Sequence, residues 1–270
     1  MSAARPGPSG QVREPADSAA GSRSVLRALE ILDLLAVTGR PLGLAQIAKE
    51  FGIPKSSCLA VLRALCARKF ARQEPGGAYV LGLRAFEVGA AYLRTVTPVS
   101  AVTAELRVLT ERLGMTSHFA VLEGDEVVYL AKQDPPETGV RLASSLGARL
   151  SARTTAVGQA QLAFSGEQAA PSAGQAAPSA AQAAPAAGQA AEALEEVRRR
   201  GYAVDDGATA AGIRCVAAPV FGVAGCCGAV GVSYLMHGGP DVPVIADMLV
   251  SAAIRVSAEL GGAWAAGPPR

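Results

Sequence analysis

Residues 44–69, LAQIAKEFGIPKSSCLAVLRALCARK, narrow the choice of fold more than any other stretch of this chain. Two runs at helical spacing are separated by Gly52, Ile53 and Pro54. Glycine ends a helix because it takes up the left-handed conformation without penalty, and proline suits the first turn of the next, where its missing amide hydrogen is not needed. Leu44, Ile47, Ala48 and Phe51 fall inward on the first run. On the second, expected over about 54–69, Cys58, Val61, Leu62, Leu65 and Cys66 share one face, and Ser56, Ala60, Arg63 and Ala67 the other. An earlier run, SVLRALEILDLLAV, carries a stripe of Val25, Leu26, Leu29, Ile31, Leu32, Leu34 and Leu35 that ends near Gly39 and Pro41. Three amphipathic helices with a tight joint between the last two make a helix-turn-helix core.

Next, FARQEPGGAYVLG places two short apolar runs around Pro75-Gly76-Gly77, which predicts a hairpin; after a third helix, that is a wing. The winged helix is expected over 23–83 and a linker helix, LRAFEVGAAYLRT onward, over 84–97. Charge divides at the same place. From Ser22 to Arg94 eleven Lys and Arg stand against five Asp and Glu, net +6, whereas from Thr95 onward twelve stand against sixteen, net −4. A basic front joined to a mildly acidic body suggests a nucleic-acid module coupled to a second task. At the start of the third helix, Lys55, the hydroxyls of Ser56 and Ser57, the free backbone N–H groups and Arg63 suit phosphate.

The body reads as an α+β domain over 98–262. VSAVTAELRVLTERLG is a helix, TSHFAVLEG and EVVYLAKQD are strands around Gly124-Asp125, Val140 to Leu150 is a further strand, and TTAVGQAQLAF and ALEEVRRRG are helices. Cys215 to Met236 carries no charge over a length that could span a membrane, but Pro219 and the glycines at 222, 225, 228 and 231 interrupt it. Two buried strands around a glycine-containing turn fit better, and no membrane partner is expected. VPVIADMLVSAAIRVSAELG closes the domain as an amphipathic helix. Gln-Ala-Ala-Pro recurs at 168, 175 and 182; with a proline in each unit and no large apolar residue, 167–191 reads as a disordered insertion and not as a coiled coil. Residues 1–22 and 263–270 read as tails, the first without the apolar run of a secretory signal.

Little supports catalysis or a metal. The five cysteines include no CxxC pair, and His118 and His237 are far apart in sequence. Neither GxSxG nor GxxxxGK[ST] occurs, so no cofactor and no enzymatic activity are expected. An odd number of cysteines without a signal suits reduced thiols in the cytoplasm, and adjacent Cys226 and Cys227 should point to opposite faces of a strand.

The run RALEILDLLAVTGRPLGLAQIAKEFGIPKSSCLAVLRALCARKFARQEPGGAYVLG resembles the N-terminal winged helix of the IclR family of bacterial transcriptional regulators. GARLSARTTAVGQAQLA, RRRGYAVDDGATAAGIRCVAAPVF and AVGVS before a last helix resemble that family's effector domain, so the likeness extends over 23–262. It implies a homodimer, often a dimer of dimers, that binds a palindromic double-stranded DNA operator and senses a small metabolite, commonly an organic or aromatic acid, in a GAF-like C-terminal domain. Carried over by position, DNA contact falls on Lys55, Ser56, Ser57, Leu59, Ala60 and Arg63, with phosphate contact from the wing near Tyr79. Effector contact falls on Ala156, Val157, Asp205, Cys215 and Ser233. The family's polar readers in the recognition helix are replaced by Leu59 and Ala60, which are suited to thymine methyls. Its His-Ala-Thr reads Arg153-Thr154-Thr155, its acidic pair reads Gly207-Ala208, and one pocket serine is Gly231. Two rival readings rest on thiols: a regulator that senses oxidation through Cys215, Cys226 and Cys227, and a thiol enzyme on the same fold, for which His237 is the histidine closest to Cys227 in sequence.

Overall fold

The stripe that starts at Val25 belongs to a longer helix, α1 (Ala16–Thr38), which starts inside the residues read as a tail. Helices α2 (Leu44–Glu50) and α3 (Lys55–Ala67) follow, then strands β1 (Ala71–Gln73) and β2 (Tyr79–Leu81) and helix α4 (Leu83–Thr95). This computed structural model describes residues 16–95, 98–136, 145–165, 187–237 and 239–266, in two units that divide between Arg94 and Thr95.

In the first unit, Gly52 at φ 60° reverses the chain after α2, as its sequence position predicts, and Ile53 N–H donates back to Ala48 O. Ile31, Leu35, Ile47, Cys58, Leu62 and Leu65 from the three helices pack with Ala71 and Tyr79 of the hairpin into one core. The hairpin is antiparallel, with Ala71 opposite Leu81 and Gln73 opposite Tyr79. Leu42, in the α1–α2 connection, exchanges two backbone hydrogen bonds with Tyr79, at 3.0 and 2.7 Å, which tie the wing to the helices.

The second unit runs α5 (Pro98–Leu113), β3 (Thr116–Glu123), β4 (Glu126–Gln133), β5 (Arg149–Ser151), α6 (Ala156–Leu162), α7 (Ala187–Arg200), β6 (Ala203–Asp206), β7 (Ile213–Gly222), β8 (Gly225–Leu235) and α8 (Val242–Glu259). Its strands form one sheet in the order β5-β4-β3-β8-β7-β6, antiparallel throughout. The uncharged stretch at 215–236 supplies the central hairpin β7–β8, buried between two layers of helix. On one face Ser117 donates to Leu106 O of α5 at 2.7 Å, and Phe221 N–H donates to Ser257 Oγ of α8 at 2.9 Å. On the other, Ala120, Tyr129, Ala217 and Ala229 pack against Val157 and Ala160 of α6 and Val197 of α7. No helix among the described residues is long and apolar enough to cross a membrane.

Several boundaries differ from the sequence reading. Of the strand expected from Val140, only Arg149–Ser151 pairs, against β4, and 137–144 lie outside the described residues. Most of the insertion, 167–186, also lies outside them, but α7 starts at Ala187, two residues after the last proline of the repeat at 185, where alanine and glutamate favour helix. Trp264, in the expected C-terminal tail, stacks edge-on against Phe221 with ring centroids 5.5 Å apart.

Candidate functional site

The first unit exposes one end of α3. Pro54 precedes the helix and accepts Cys58 N–H at 3.1 Å, but no side chain caps it. The backbone N–H groups of its first turn therefore keep the unmet donor capacity of any uncapped helix start. Lys55, Ser56 and Ser57 surround these donors and are exposed, as are Ala60 and Arg63 further along, while Cys58, Leu62 and Leu65 face the core. Leu59 is half-buried. The surface is thus cationic and donor-rich at one end and small and apolar in the middle, a form suited to the groove and backbone of a duplex.

Tyr79 does not belong to that surface. It is only 4% exposed and sits in the core among the helices, because the pleat turns its side chain inward where β2 meets Leu42. Wing side chains that do face outward include Arg72, paired with Glu74 at 2.8 Å, and Gln73, which donates to Gly77 O at 3.1 Å.

The second candidate site lies on the α6 side of the sheet. Register places Asp205 of β6 opposite Cys215 of β7, and Cys215 opposite Ser233 of β8, so the three share one face on adjacent strands. Cys215 Sγ lies 3.0 Å from Ser233 Oγ, Ser233 Oγ lies 3.2 Å from His118 Nε2, and His118 Nδ1 lies 3.0 Å from Gly231 O. Tyr129 stacks at a tilt on the His118 ring, with centroids 5.1 Å apart. Asp205 accepts from the backbone N–H of Ala208 at 2.7 Å and of Thr209 at 3.3 Å, which folds the 206–209 turn over the strand end. Thr209 in turn donates to Thr154 O at 3.3 Å, joining that turn to the start of α6. There Thr155 caps the helix by accepting Gly158 N–H at 3.2 Å; the amides of Ala156 and Val157 have no acceptor among the described residues.

Burial sets the protonation of this cluster. His118 is pushed down to about 4, chiefly by burial and next by the positive charge of Lys132, with Asp134 opposing. Burial pushes the Cys215 thiol up to about 11, with its hydrogen-bond contact to Ser233 opposing, and Tyr129 also rises, from burial and from its neighbours Cys215 and Asp205. At neutral pH the imidazole is therefore uncharged and the thiol and phenol are protonated.

Comparison with known proteins now decides the family. Residues 24–75 match the model of the IclR helix-turn-helix domain, and residues 90–238 match that of the bacterial transcriptional regulator IclR C-terminal domain. The chain belongs to the IclR family of bacterial transcriptional regulators. It is similar to the HTH-type transcriptional regulator BhcR of Paracoccus denitrificans (strain Pd 1222), at 32% identity over 214 residues covering 78% of this chain and 76% of the relative. It is also similar to the HTH-type transcriptional regulator XynR of Escherichia coli (strain K12), at 30% identity over 74% of this chain and 80% of the relative. The crystal structure of the Thermotoga maritima IclR superposes with a TM-score of 0.71 at 26% identity, covering 89% of this chain and 99% of that one.

Of the effector positions implied by the IclR likeness, Asp205, Cys215 and Ser233 come together on one sheet face, with Ala156 and Val157 buried in the helix that packs on it. Sequence reasoning missed His118 and Tyr129. His118 stands opposite Gly231, and a Cβ at 231 would come 2.6 Å from its ring. The alternation of TSHFAVLEG was the available signal, since His118 and Ala120 share a face that a wholly apolar strand would fill with aliphatic residues.

Proposed function

We propose that this chain is a ligand-responsive regulator that binds a palindromic operator as a homodimer through α3, and whose affinity for DNA changes when a small organic acid occupies the α6 face of the sheet. The observation that carries the DNA-binding part is the exposed, uncapped start of α3 with Lys55, Ser56, Ser57 and Arg63 around it, in a segment of net charge +6. Phosphate anchoring falls to those four residues, and the small surface at Ala60 leaves thymine methyls and DNA shape to set sequence preference. The double substitution Lys55→Ala with Arg63→Ala should weaken binding to duplexes from the protein's own upstream region. It should also flatten the slope of log affinity against log salt by about 2, one for each phosphate that the variant leaves unneutralised. Fluorescence anisotropy across a salt series measures both; binding of no such duplex in a salt-sensitive, sequence-preferring way defeats the reading.

The homodimer is supported by apolar side chains left uncovered in this unit: Val25, Leu26 and Leu29 on α1, and Leu83 and Phe86 on α4. Val25 and Leu29, like Leu83 and Phe86, stand three or four residues apart and so share a face of their helix, the pattern of a contact surface between proteins. Sedimentation of the Leu26→Glu, Phe86→Glu variant should show a lighter species and operator affinity at least about tenfold weaker, since each half-site then binds alone. The effector part is supported by the polar cluster of Asp205, Cys215, Ser233 and His118 within an otherwise apolar sheet face, and by the free amides of Ala156 and Val157 beside it.

The thiol readings find less support. A histidine does reach Cys215, through Ser233, but an imidazole held near 4 is a poor base at neutral pH. Cys215 lies six residues along β7 from Phe221, the partner of Cys226, a separation of roughly 20 Å. A disulfide between Cys215 and Cys226 does not form within this fold. Burial also pushes the Cys226 thiol up to about 12, far from a reactive thiolate.

A further inference from the structure

Resting on the effector reading above, we propose that His118 determines specificity at that site: by taking the hydroxyl proton of Ser233, it turns the Asp205–Cys215–Ser233 wall into hydrogen-bond acceptors, so the effector places a hydroxyl there and not a second carboxylate.

The proton positions follow from the geometry. Gly231 O only accepts, so His118 Nδ1, 3.0 Å away, carries the hydrogen. A neutral imidazole has one such hydrogen, which leaves a lone pair on Nε2, and Ser233 Oγ at 3.2 Å donates to it. The Ser233 hydroxyl has no second proton, so across the 3.0 Å contact it accepts from the Cys215 thiol. Every hydrogen of the chain Cys215, Ser233, His118, Gly231 thus points along it. What the wall still offers a ligand is lone pairs: those of the Cys215 sulfur, the remaining one of Ser233 and those of the Asp205 carboxylate beyond its two backbone donors.

Tyr129 supplies the complementary group. It is 4% exposed, its ring lies on His118, and its hydroxyl makes no hydrogen bond among the described residues. Tyr129 belongs to the buried cluster against which Cys215 packs, which places its ring beside the same wall. A ligand hydroxyl donates to the wall and accepts from Tyr129, and so satisfies both. An amine satisfies the wall alone, and a carboxylate meets the Asp205 charge with nothing on this side to neutralise it. The His118 ring fills the space that a side chain at 231 would need: a Cβ there would lie 2.6 Å from Cε1 and 3.1 Å from Val157 Cγ1. The ring and Gly231 therefore specify one another. The ligand class is a hydroxylated monocarboxylic acid.

Two measurements on the full-length protein test this. The chain has only two histidines, so ¹⁵N–¹H two-bond correlation spectra of the wild type and of His237→Asn assign His118 directly. The Nδ1–H tautomer is expected at neutral pH; the Nε2–H tautomer or a charged ring overturns the proposal. The second measurement is calorimetric titration with 4-hydroxybenzoate, benzoate and terephthalate, and with 4-hydroxybutyrate and succinate. The hydroxy acid of each set should bind at least about tenfold more tightly than its dicarboxylate, the worth of one well-made or one mismatched hydrogen bond. In His118→Phe and in the milder His118→Gln, Ser233 regains a free proton and that ratio should fall at least about threefold, the Asp205 charge still disfavouring the dicarboxylate, whereas a merely structural role would weaken all probes alike and leave the ratio unchanged. Equal binding of terephthalate and 4-hydroxybenzoate by the wild type overturns the role of His118 and leaves the acid-effector reading standing. Binding of no probe, in a protein whose His118 shows the expected tautomer, overturns the acid-effector reading itself.

Discussion

Leu62→Ala is expected to melt the winged helix and abolish operator binding while the sheet domain stays folded. Leu62 is fully buried where α1, α2, α3 and the hairpin meet, packed among Ile31, Leu35, Ile47, Cys58 and Tyr79. Truncating such a leucine removes its transfer free energy and leaves a cavity, together about 2–5 kcal/mol. A unit this small has little stability in reserve, because the share of its surface that it buries is low. Calorimetry should therefore show the winged-helix transition falling by roughly 10–30 °C, with a second transition unmoved. Operator binding should be lost above the lowered midpoint and effector titrations should not change, since no residue of the sheet site lies in this core. A single transition that shifts as a whole would show instead that the two units fold as one.

The elements that could be read from sequence are those whose signals are local. Gly52 and Pro54 mark the helix-turn-helix joint because one residue's φ and another's missing N–H are enough to stop and start a helix. The central hairpin β7–β8 was legible because burial on both faces demands an unbroken apolar run, and its glycines argue against a helix. β6 was not, as a four-residue edge strand that includes Asp205 and Asp206 has no apolar pattern of its own and exists through pairing with β7. The start of α1 was hidden by Ala, Ser and Gly, a composition shared by helices and tails. The same division holds at the sites. The exposure of Lys55, Ser56, Ser57 and Arg63 follows from helical phase alone. Tyr79 went wrong because the inward side of a three-residue strand depends on Leu42, far back in the chain. His118 and Ser233 are 115 residues apart, and only the β3–β8 register brings them together. The resemblance could carry Ser233 into the candidate site; the histidine that contacts it needed the sheet.

The stability of the sheet domain should fall as pH drops from about 6.5 toward 4, with His118 the largest single cause. Its folded-state value, about 4, lies below the ordinary 6.5 because burial, and then Lys132, disfavour the imidazolium. Between those two pH values the unfolded chain binds a proton that the folded one does not, so stability rises with pH across the window. The contribution is complete above the unfolded value and is lost as pH falls through the window. A gap of that size corresponds to roughly 3 kcal/mol, most of which would be gone at about pH 4.5. Ion-paired carboxylates also weaken in acid, so the informative quantity is the difference from His118→Gln. That variant has no titrating ring and should start less stable near neutrality, having lost the bonds to Gly231 and Ser233. Urea melts of both proteins at stepped pH would then converge as pH falls. Curves that run parallel across the window would mean that the imidazole is not held neutral, and that the direction of the Ser233 proton is set by some other group.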